Sequence, residues 1–284
     1  LGKNMINALH HRGPDGEGVW VDKESEVGLA HRRLTLVDLT TAGAQPMVSN
    51  DGRYVIVFNG EIYNHKEIRK KYFAQLGGFR GTSDTEVLLR SIQTWGLKKT
   101  LPRLVGMFAF ALFDRAEKKV FLVRDRLGEK PLYFGQQGSL FCFASEPAGI
   151  IAHPDWKQEI NRKAVNELVL YGRIAAPNSI YTAMEKLAPG SIVEVKRENG
   201  KWKVGQNSRW WRYEQVSREV ATNDSSQIVD HAINVERILK NTIENQLDAD
   251  VPVGAFLSGG IDSSTIVSIA AAQSSARLHT FTVG

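Results

Sequence analysis

The sequence has 284 residues, with 36 Lys and Arg against 31 Asp and Glu, and a formal net charge of +5. Its 42% hydrophobic and 24% charged residues suit a globular protein of one large domain or two ordinary ones. The basic residues are scattered, which argues against a nucleic-acid partner. No apolar run reaches the ~18–20 residues of a membrane span. A single cysteine, Cys142, excludes a disulfide framework and fits a reducing, cytoplasmic compartment.

In chain order, residues 1–9 read as the tail of an amphipathic helix already under way, without a signal-peptide pattern, so a preceding segment is expected. Short β-branched and aromatic runs follow at 54–58, 106–113, 120–123 and 140–144, bounded by Gly, Asp or Asn. Helical patterns interrupt them at 66–76 and 84–95, the second opening on the capping string Thr82-Ser83-Asp84. This order predicts an α+β first domain over 1–197. Another short helix is expected at 162–170. Residues 198–230 read as a polar, irregular linker, with Trp210 and Trp211 as anchors packing it down.

Beyond the linker, Val235, Ile238, Leu239, Ile243 and Leu247 sit at helical spacing. A buried strand at 253–257, a Ser/Gly loop, an apolar helix at 263–272 and a second strand at 278–283 follow. That succession opens a parallel α/β domain over 231–284.

The loop between strand and helix carries chemistry. A strand feeding a Gly-rich turn and a helix N-terminus presents backbone N–H groups and a positive dipole end to an anion. Gly259 and Gly260 allow close approach, and Ser258, Ser263 and Ser264 add hydroxyl donors. Asp262 would repel a phosphate unless it shares a Mg²⁺ ion with it or caps the helix. The plain alternative is a strand–helix turn with a serine cap. The length of the string from Ser258 to Ser264 favours ATP phosphates, and the lack of Gly-Lys-Ser/Thr excludes a Walker A loop.

Other strings stand out in the first half: His10-His11-Arg12-Gly13-Pro14-Asp15-Gly16, His31-Arg32-Arg33-Leu34, Asn59-Gly60-Glu61-Ile62-Tyr63-Asn64, Gly81-Thr82-Ser83-Asp84-Thr85-Glu86 and Arg124-Asp125-Arg126-Leu127-Gly128. A site that hydrolyses glutamine needs a forked cation for the α-carboxylate, a carboxylate for the α-ammonium, and neutral donors for a tetrahedral oxyanion. Arg33, Asp84, and Asn59 with the Gly60 N–H are of these types. Each has a bland alternative: a surface ion pair, a helix N-cap, and a type I′ hairpin turn.

Taken together and in order, these strings resemble the glutaminase domain of class II glutamine amidotransferases, an αββα N-terminal-nucleophile fold. The phosphate loop resembles that of the N-type ATP pyrophosphatases. With its flanks at 251–257 and 279–284 it is similar to the glutamine-hydrolysing asparagine synthetases, as are Glu129-Lys130-Pro131-Leu132-Tyr133 and Lys186-Leu187-Ala188-Pro189-Gly190. The resemblance implies Arg33, Asn59, Gly60, Glu61 and Asp84 as glutamine-site residues, with Asn59 and Gly60 as the oxyanion hole. It implies Leu257, Ser258, Gly259, Gly260, Asp262, Ser263, Val283 and Gly284 as ATP-binding, with Asp262 toward Mg²⁺. The implied reaction hydrolyses glutamine and passes ammonia to an aspartate activated by ATP as β-aspartyl-AMP, with release of pyrophosphate.

The family's nucleophile is an N-terminal cysteine, which this sequence lacks; Cys142 lies in an apolar strand and reads as a core thiol. Together with the start at Leu1 and the short second domain, this leads us to expect a fragment, inactive alone. Rival readings are amidation of a sugar acid or other carboxylate in surface-polysaccharide synthesis, and a degenerate protein without glutaminase activity. The loop at 258–264 argues against a sugar-phosphate or phosphoribosyl amidotransferase. The expected partners are the small molecules glutamine, aspartate and ATP; a homodimer stays open.

Overall fold

In a computed structural model, residues 2–222, 231–274 and 277–283 are described. The elements run α1 (Gly2–Asn7), β1 (Gly16–Asp22), β2 (Val27–Arg33), β3 (Met47–Val48), β4 (Tyr54–Ile62), α2 (His65–Phe73), α3 (Asp84–Trp95), α4 (Leu97–Thr100), β5 (Gly106–Asp114) and β6 (Lys119–Arg124). They continue as β7 (Tyr133–Gln137), β8 (Leu140–Ala144), α5 (Pro147–Ile151), α6 (Arg162–Tyr171), β9 (Met184–Lys186), β10 (Ser191–Glu198) and β11 (Lys201–Arg209). Last come α7 (Tyr213–Thr222), α8 (His231–Gln246), β12 (Gly254–Phe256), α9 (Ile261–Gln273) and β13 (His279–Phe281). The chain divides into two compact units: Leu1–Thr35 with Thr40–Tyr213, and Leu36–Leu39 with Glu214–Gly284.

In the first unit, an antiparallel sheet of order β11-β10-β6-β5-β4-β3 forms the centre. Its middle strands β4 and β5 are apolar on both faces, and alternate residues go to different cores, as the two-residue period of a strand requires. Ile56, Phe58, Phe108, Phe110 and Leu112 pack on Ile68 and Phe73 of α2 and Val87, Leu88 and Ile92 of α3. Val55, Val57, Ala109, Ala111 and Phe113 face the other way, toward Val27 and Leu29 of β2 and Phe134 of β7. Beyond that second layer, Cys142, Ala144, Ile150 and Met184 pack with Met5 and Leu9. The layers are therefore α, β, β, α.

Residues 198–209 depart from the linker reading. Asn199 (φ 50°) and Gly200 (φ 76°) form a two-residue hairpin turn, across which Glu198 pairs with Lys201. The strand that follows is the sheet edge, and Trp202 is its buried residue, donating through Nε1 to Ser25 O at 3.1 Å. With one inward apolar side chain among lysines, its alternation is too sparse to read from sequence. Trp210 does anchor the chain as expected: its ring stacks on Phe108 at 6.2 Å, and Nε1 donates to Arg124 O at 3.1 Å.

The Arg124–Gly128 string is a clamp. Asp125 is buried, and its two carboxylate oxygens accept from the N–H groups of Phe108, Leu127, Gly128, Glu129 and Lys130 at 2.6–3.1 Å. Arg124 donates to the carbonyls of Lys130, Leu187 and Gly128.

In the second unit, β12 and β13 pair in parallel, in the order strand–loop–helix–strand that the sequence predicts. Asp250 accepts from Asp38 N at 2.8 Å and donates its own N–H to Leu36 O at 3.0 Å. Contrary to the expected burial, Phe256 is 78% exposed, because a two-stranded pair has no further layer over it among the described residues.

Replacing Asp125 by Ala would strip four N–H groups, those of Phe108, Leu127, Glu129 and Lys130, of their acceptor, while Gly128 keeps its bond to the Asp125 carbonyl. At about 1–3 kcal/mol for each buried orphan, and less where water reaches, we expect a loss of about 3 kcal/mol or more in urea unfolding.

Candidate active site

The site grows from one edge of β4. β3 is short and pairs with β4 only at Ile56 and Val55. The backbone N–H and C=O groups of β4's even-numbered residues beyond Ile56 therefore need other partners. Side chains supply them. Phe58 N donates to Gln45 Oε1 at 2.6 Å, and Phe58 O faces His31 Nε2 at 3.1 Å. Ile62 N donates to Asp84 Oδ2 at 2.9 Å, and Ile62 O faces His65 Nδ1 at 2.9 Å. Gly60 lies between them on the same edge, and no acceptor for its N–H is found among the described residues.

Only glycine fits there. Gly60 has φ 153°, and a Cβ on it would lie 2.2 Å from Met107 O and 2.6 Å from Phe108 Cα, both backbone atoms of β5. The hairpin alternative for Asn59-Gly60 is thus corrected: both residues lie inside a strand, opposite Ala109 and Phe108. The Asn59 side chain projects to the inter-sheet face, as the alternation from Val55 and Val57 dictates. Its Nδ2 is buried without a hydrogen-bond partner among the described residues. Two donors, Asn59 Nδ2 and Gly60 N–H, so stand together without acceptors.

Asp84 is the first residue of α3, and the N-cap is Ser83, whose Oγ accepts from Glu86 N at 3.2 Å. This corrects the N-cap alternative for Asp84. Its Oδ1 accepts from Thr85 N at 2.6 Å, while Oδ2 holds Ile62. Burial pushes the Asp84 carboxyl above its ordinary value of 3.8, against these hydrogen bonds. Glu61 shares the inter-sheet face with Asn59. The Tyr63 phenol is pushed up to about 12 by burial first and then by the charges of Glu61 and Glu129.

The facing sheet brings Arg33. Val27 and Leu29 point to the core between the sheets, so His31 and Arg33 continue that face toward β4. Arg33 Nη1 donates to Thr40 O at 2.9 Å. The end of β2 is held by Asp15, which donates its N–H to Arg33 O (3.0 Å) and accepts from Thr35 N through Oδ2 (2.8 Å). Arg12 and His11 of the same string pair with Glu146. Asn59, Gly60 and Glu61 thus lie near the end of β4, Asp84 is bonded to its Ile62, and Arg33 ends β2, two residues beyond the His31 that meets Phe58 O. Sequence reasoning left His31, Gln45 and His65 without a role. His31 and His65 lay inside or beside quoted strings; nothing local marks Gln45.

The phosphate loop belongs to the second unit. Gly259 takes φ 80° with open space where a Cβ would be. Gly260 is the N-cap of α9 and has no side-chain cap, so Asp262 stands in the first turn rather than capping it. Ser258 and Ser263 hydroxyls bond each other at 3.0 Å, and Leu257 N donates to Phe281 O at 2.8 Å. Val283 is exposed; Gly284 lies outside the described residues. An uncapped helix N-terminus behind glycines fits a polyphosphate. Among the described residues no cluster of three His, Cys, Asp or Glu forms a metal site. Cys142 is a core thiol, as the sequence predicts: burial pushes it up to about 12.

Two outcomes follow for this site. Gly60→Ala should cost about 2 kcal/mol or more in unfolding, since the clash is with backbone. For Asp84, a raised folded-state pKa means that its contribution to stability is present below 3.8 and lost as pH rises through the raised value. Urea midpoints measured across that window should fall for the unsubstituted chain relative to Asp84→Asn.

Residues 2–211 match a family model described as a glutamine amidotransferase domain, and residues 234–284 one described as asparagine synthase. The chain is 37% identical over 286 residues to glutamine-hydrolysing asparagine synthetase 3 of Bacillus subtilis, covering 98% of this chain and 44% of that protein. It is 34% identical to synthetase 2 of the same organism, covering 99% and 37%. It therefore spans less than half the length of these relatives. Among solved structures, the glutamine phosphoribosylpyrophosphate amidotransferase of B. subtilis, complexed with ADP and GMP, is similar with a TM-score of 0.52 at 18% identity. That match covers 98% of this chain and 62% of that one and bears on the fold alone. With an αββα unit followed by a strand–loop–helix–strand unit in the expected order, the chain belongs to the glutamine amidotransferase domain family over residues 2–211, followed by a segment that matches the asparagine synthase model.

Proposed function

We propose that this chain is the glutamine-binding and phosphate-binding part of an asparagine synthetase that takes its nitrogen from glutamine. The observation that carries the reading is the pair of unpartnered donors, Asn59 Nδ2 and Gly60 N–H, at the rim of a site that also holds Asp84 and Arg33. Leaving a buried amide unpaired costs about 1–3 kcal/mol, a cost removed when an oxyanion accepts from it.

In this reading the Arg33 guanidinium grips the α-carboxylate of glutamine. Asp84, with Glu61, receives the α-ammonium, and the ionised form of Asp84 is the one that binds. Asn59 and Gly60 stabilise the charge that develops on the carboxamide oxygen. Attack on that carboxamide needs a nucleophile that residues 1–284 do not supply, because Cys142 is protonated and buried. Ammonia made by the whole protein is then consumed by its ATP-dependent unit, where an acceptor carboxylate is activated by adenylation.

The loop 257–263 would hold the phosphates through the N-terminus of α9 and the Ser258 and Ser263 hydroxyls. Asp262 is the residue that would hold Mg²⁺, which would supply charge neutralisation there. Aspartate is the acceptor favoured by the family relationship, and the setting is a cytoplasmic one with small-molecule substrates.

The test uses the full-length protein with ATP, Mg²⁺ and glutamine, varying the acceptor and following pyrophosphate and glutamate. Aspartate should give pyrophosphate above background. Pyrophosphate only with another carboxylate would reassign the acceptor, and no glutamate with any acceptor would leave a protein without glutaminase activity. Asn59→Ala should lower the rate of glutamate formation by roughly 100- to 1,000-fold.

A further inference from the structure

The two halves of the glutamine site stand on different sheets. Arg33 ends β2 in the two-stranded sheet, and Asn59 and Gly60 lie on β4 in the six-stranded one. His31 joins them: it sits two residues before Arg33, and its Nε2 lies 3.1 Å from Phe58 O. That oxygen belongs to the peptide whose nitrogen is Asn59's own. The Phe58 N–H is held as well, by Gln45, so the strand just before Asn59 is fixed from both ends of one residue.

Burial lowers the His31 pKa to about 4, so at neutral pH the ring carries one N–H and one lone pair. The carbonyl acceptor requires the N–H on Nε2. Nδ1 is then left buried without a partner among the described residues. A phenyl ring would fill a similar volume without that penalty of about 1–3 kcal/mol. What the imidazole adds over a phenyl is the bond to Phe58.

We propose that His31 is a positioning residue of the glutamine site, whose Nε2–H ties the Arg33-bearing strand to the peptide preceding Asn59 and so sets the distance between carboxylate grip and oxyanion donors. This rests on the glutamine reading above. One substrate must reach both features at once, so a shift between the sheets would spoil the alignment at the carboxamide.

The test compares the full-length protein with its His31→Phe and His31→Gln forms, measuring KM and kcat for glutamine hydrolysis. His31→Phe keeps volume and loses the donor; His31→Gln keeps a donor. We expect kcat/KM to drop about tenfold or more for Phe and to recover to within about threefold for Gln, the scale of one buried hydrogen bond. A ring that merely fills space would give the reverse order. Phe equal to the unsubstituted protein, or Gln no better than Phe, would overturn the proposal. Should the Phe form not fold, ¹⁵N NMR of the unsubstituted protein decides: a proton on Nε2 alone at pH 7 is expected, and one on Nδ1 overturns it. If the unsubstituted protein neither binds nor hydrolyses glutamine, the glutamine reading falls and this proposal with it. Normal turnover with an indifferent His31→Phe overturns only the role of His31.

Discussion

The uncovered edge of β4 between Phe58 and Ile62 is the constraint from which the site follows. A strand buried on both faces cannot leave its peptide groups unpaired at the edge without cost. β3 stops at Val48 and covers none of this stretch. Four side chains from four different segments, Gln45, His31, Asp84 and His65, take the groups of Phe58 and Ile62. The groups of Gly60 are left between them. Those four bonds also draw α2, α3 and β2 to the place where the strand's apolar pattern ends.

That pattern explains why the site opens between the sheets. Val55 and Val57 fill the inter-sheet core, and the same face then continues as Asn59 and Glu61. On the opposing strand Val27 and Leu29 give way to His31 and Arg33. Two apolar stripes become polar, so the inter-sheet core ends in donors and charges. Behind it the neighbouring strand is held in place. Asp125 holds the Phe108 peptide opposite Gly60 through both its N–H and its C=O, and Trp210 stacks on the Phe108 ring.

Much of the frame was legible because burial leaves a strong pattern. The runs at 54–58, 106–113, 120–123 and 140–144 are strands, and Ser83 caps the helix it was expected to open. The strand-to-helix turn at 258–264 was legible because its signals are local: glycines, hydroxyls and a helix start within seven residues. β11 was not, because an edge strand needs one inward side chain, Trp202, and can leave the rest to solvent. Gln45 was not, because its role depends on a strand edge that only the packed sheet creates. The two histidines carry ordinary local signals and acquire a role through the carbonyls they meet.

The dipeptide Asn-Gly occurs in two of these places and marks the boundary of what a sequence can decide. For Asn59-Gly60 a tight turn was one of two readings, and Asn199-Gly200 read as part of an irregular linker. At Asn199-Gly200 the local preference prevails, both residues take positive φ, and the chain reverses. At Asn59-Gly60 it does not. Nine residues of β4 pair with nine of β5, and the summed burial of that ladder outweighs the turn preference of two. Glycine serves there because a Cβ would collide with Met107 O, and asparagine because its amide reaches the inter-sheet face. The sequence by itself determined which residue types and which local motifs were available. Only the tertiary structure decided that Asn59 and Gly60 stand in a strand with their donors unpartnered, because that depends on pairing and packing from residues far away in the chain.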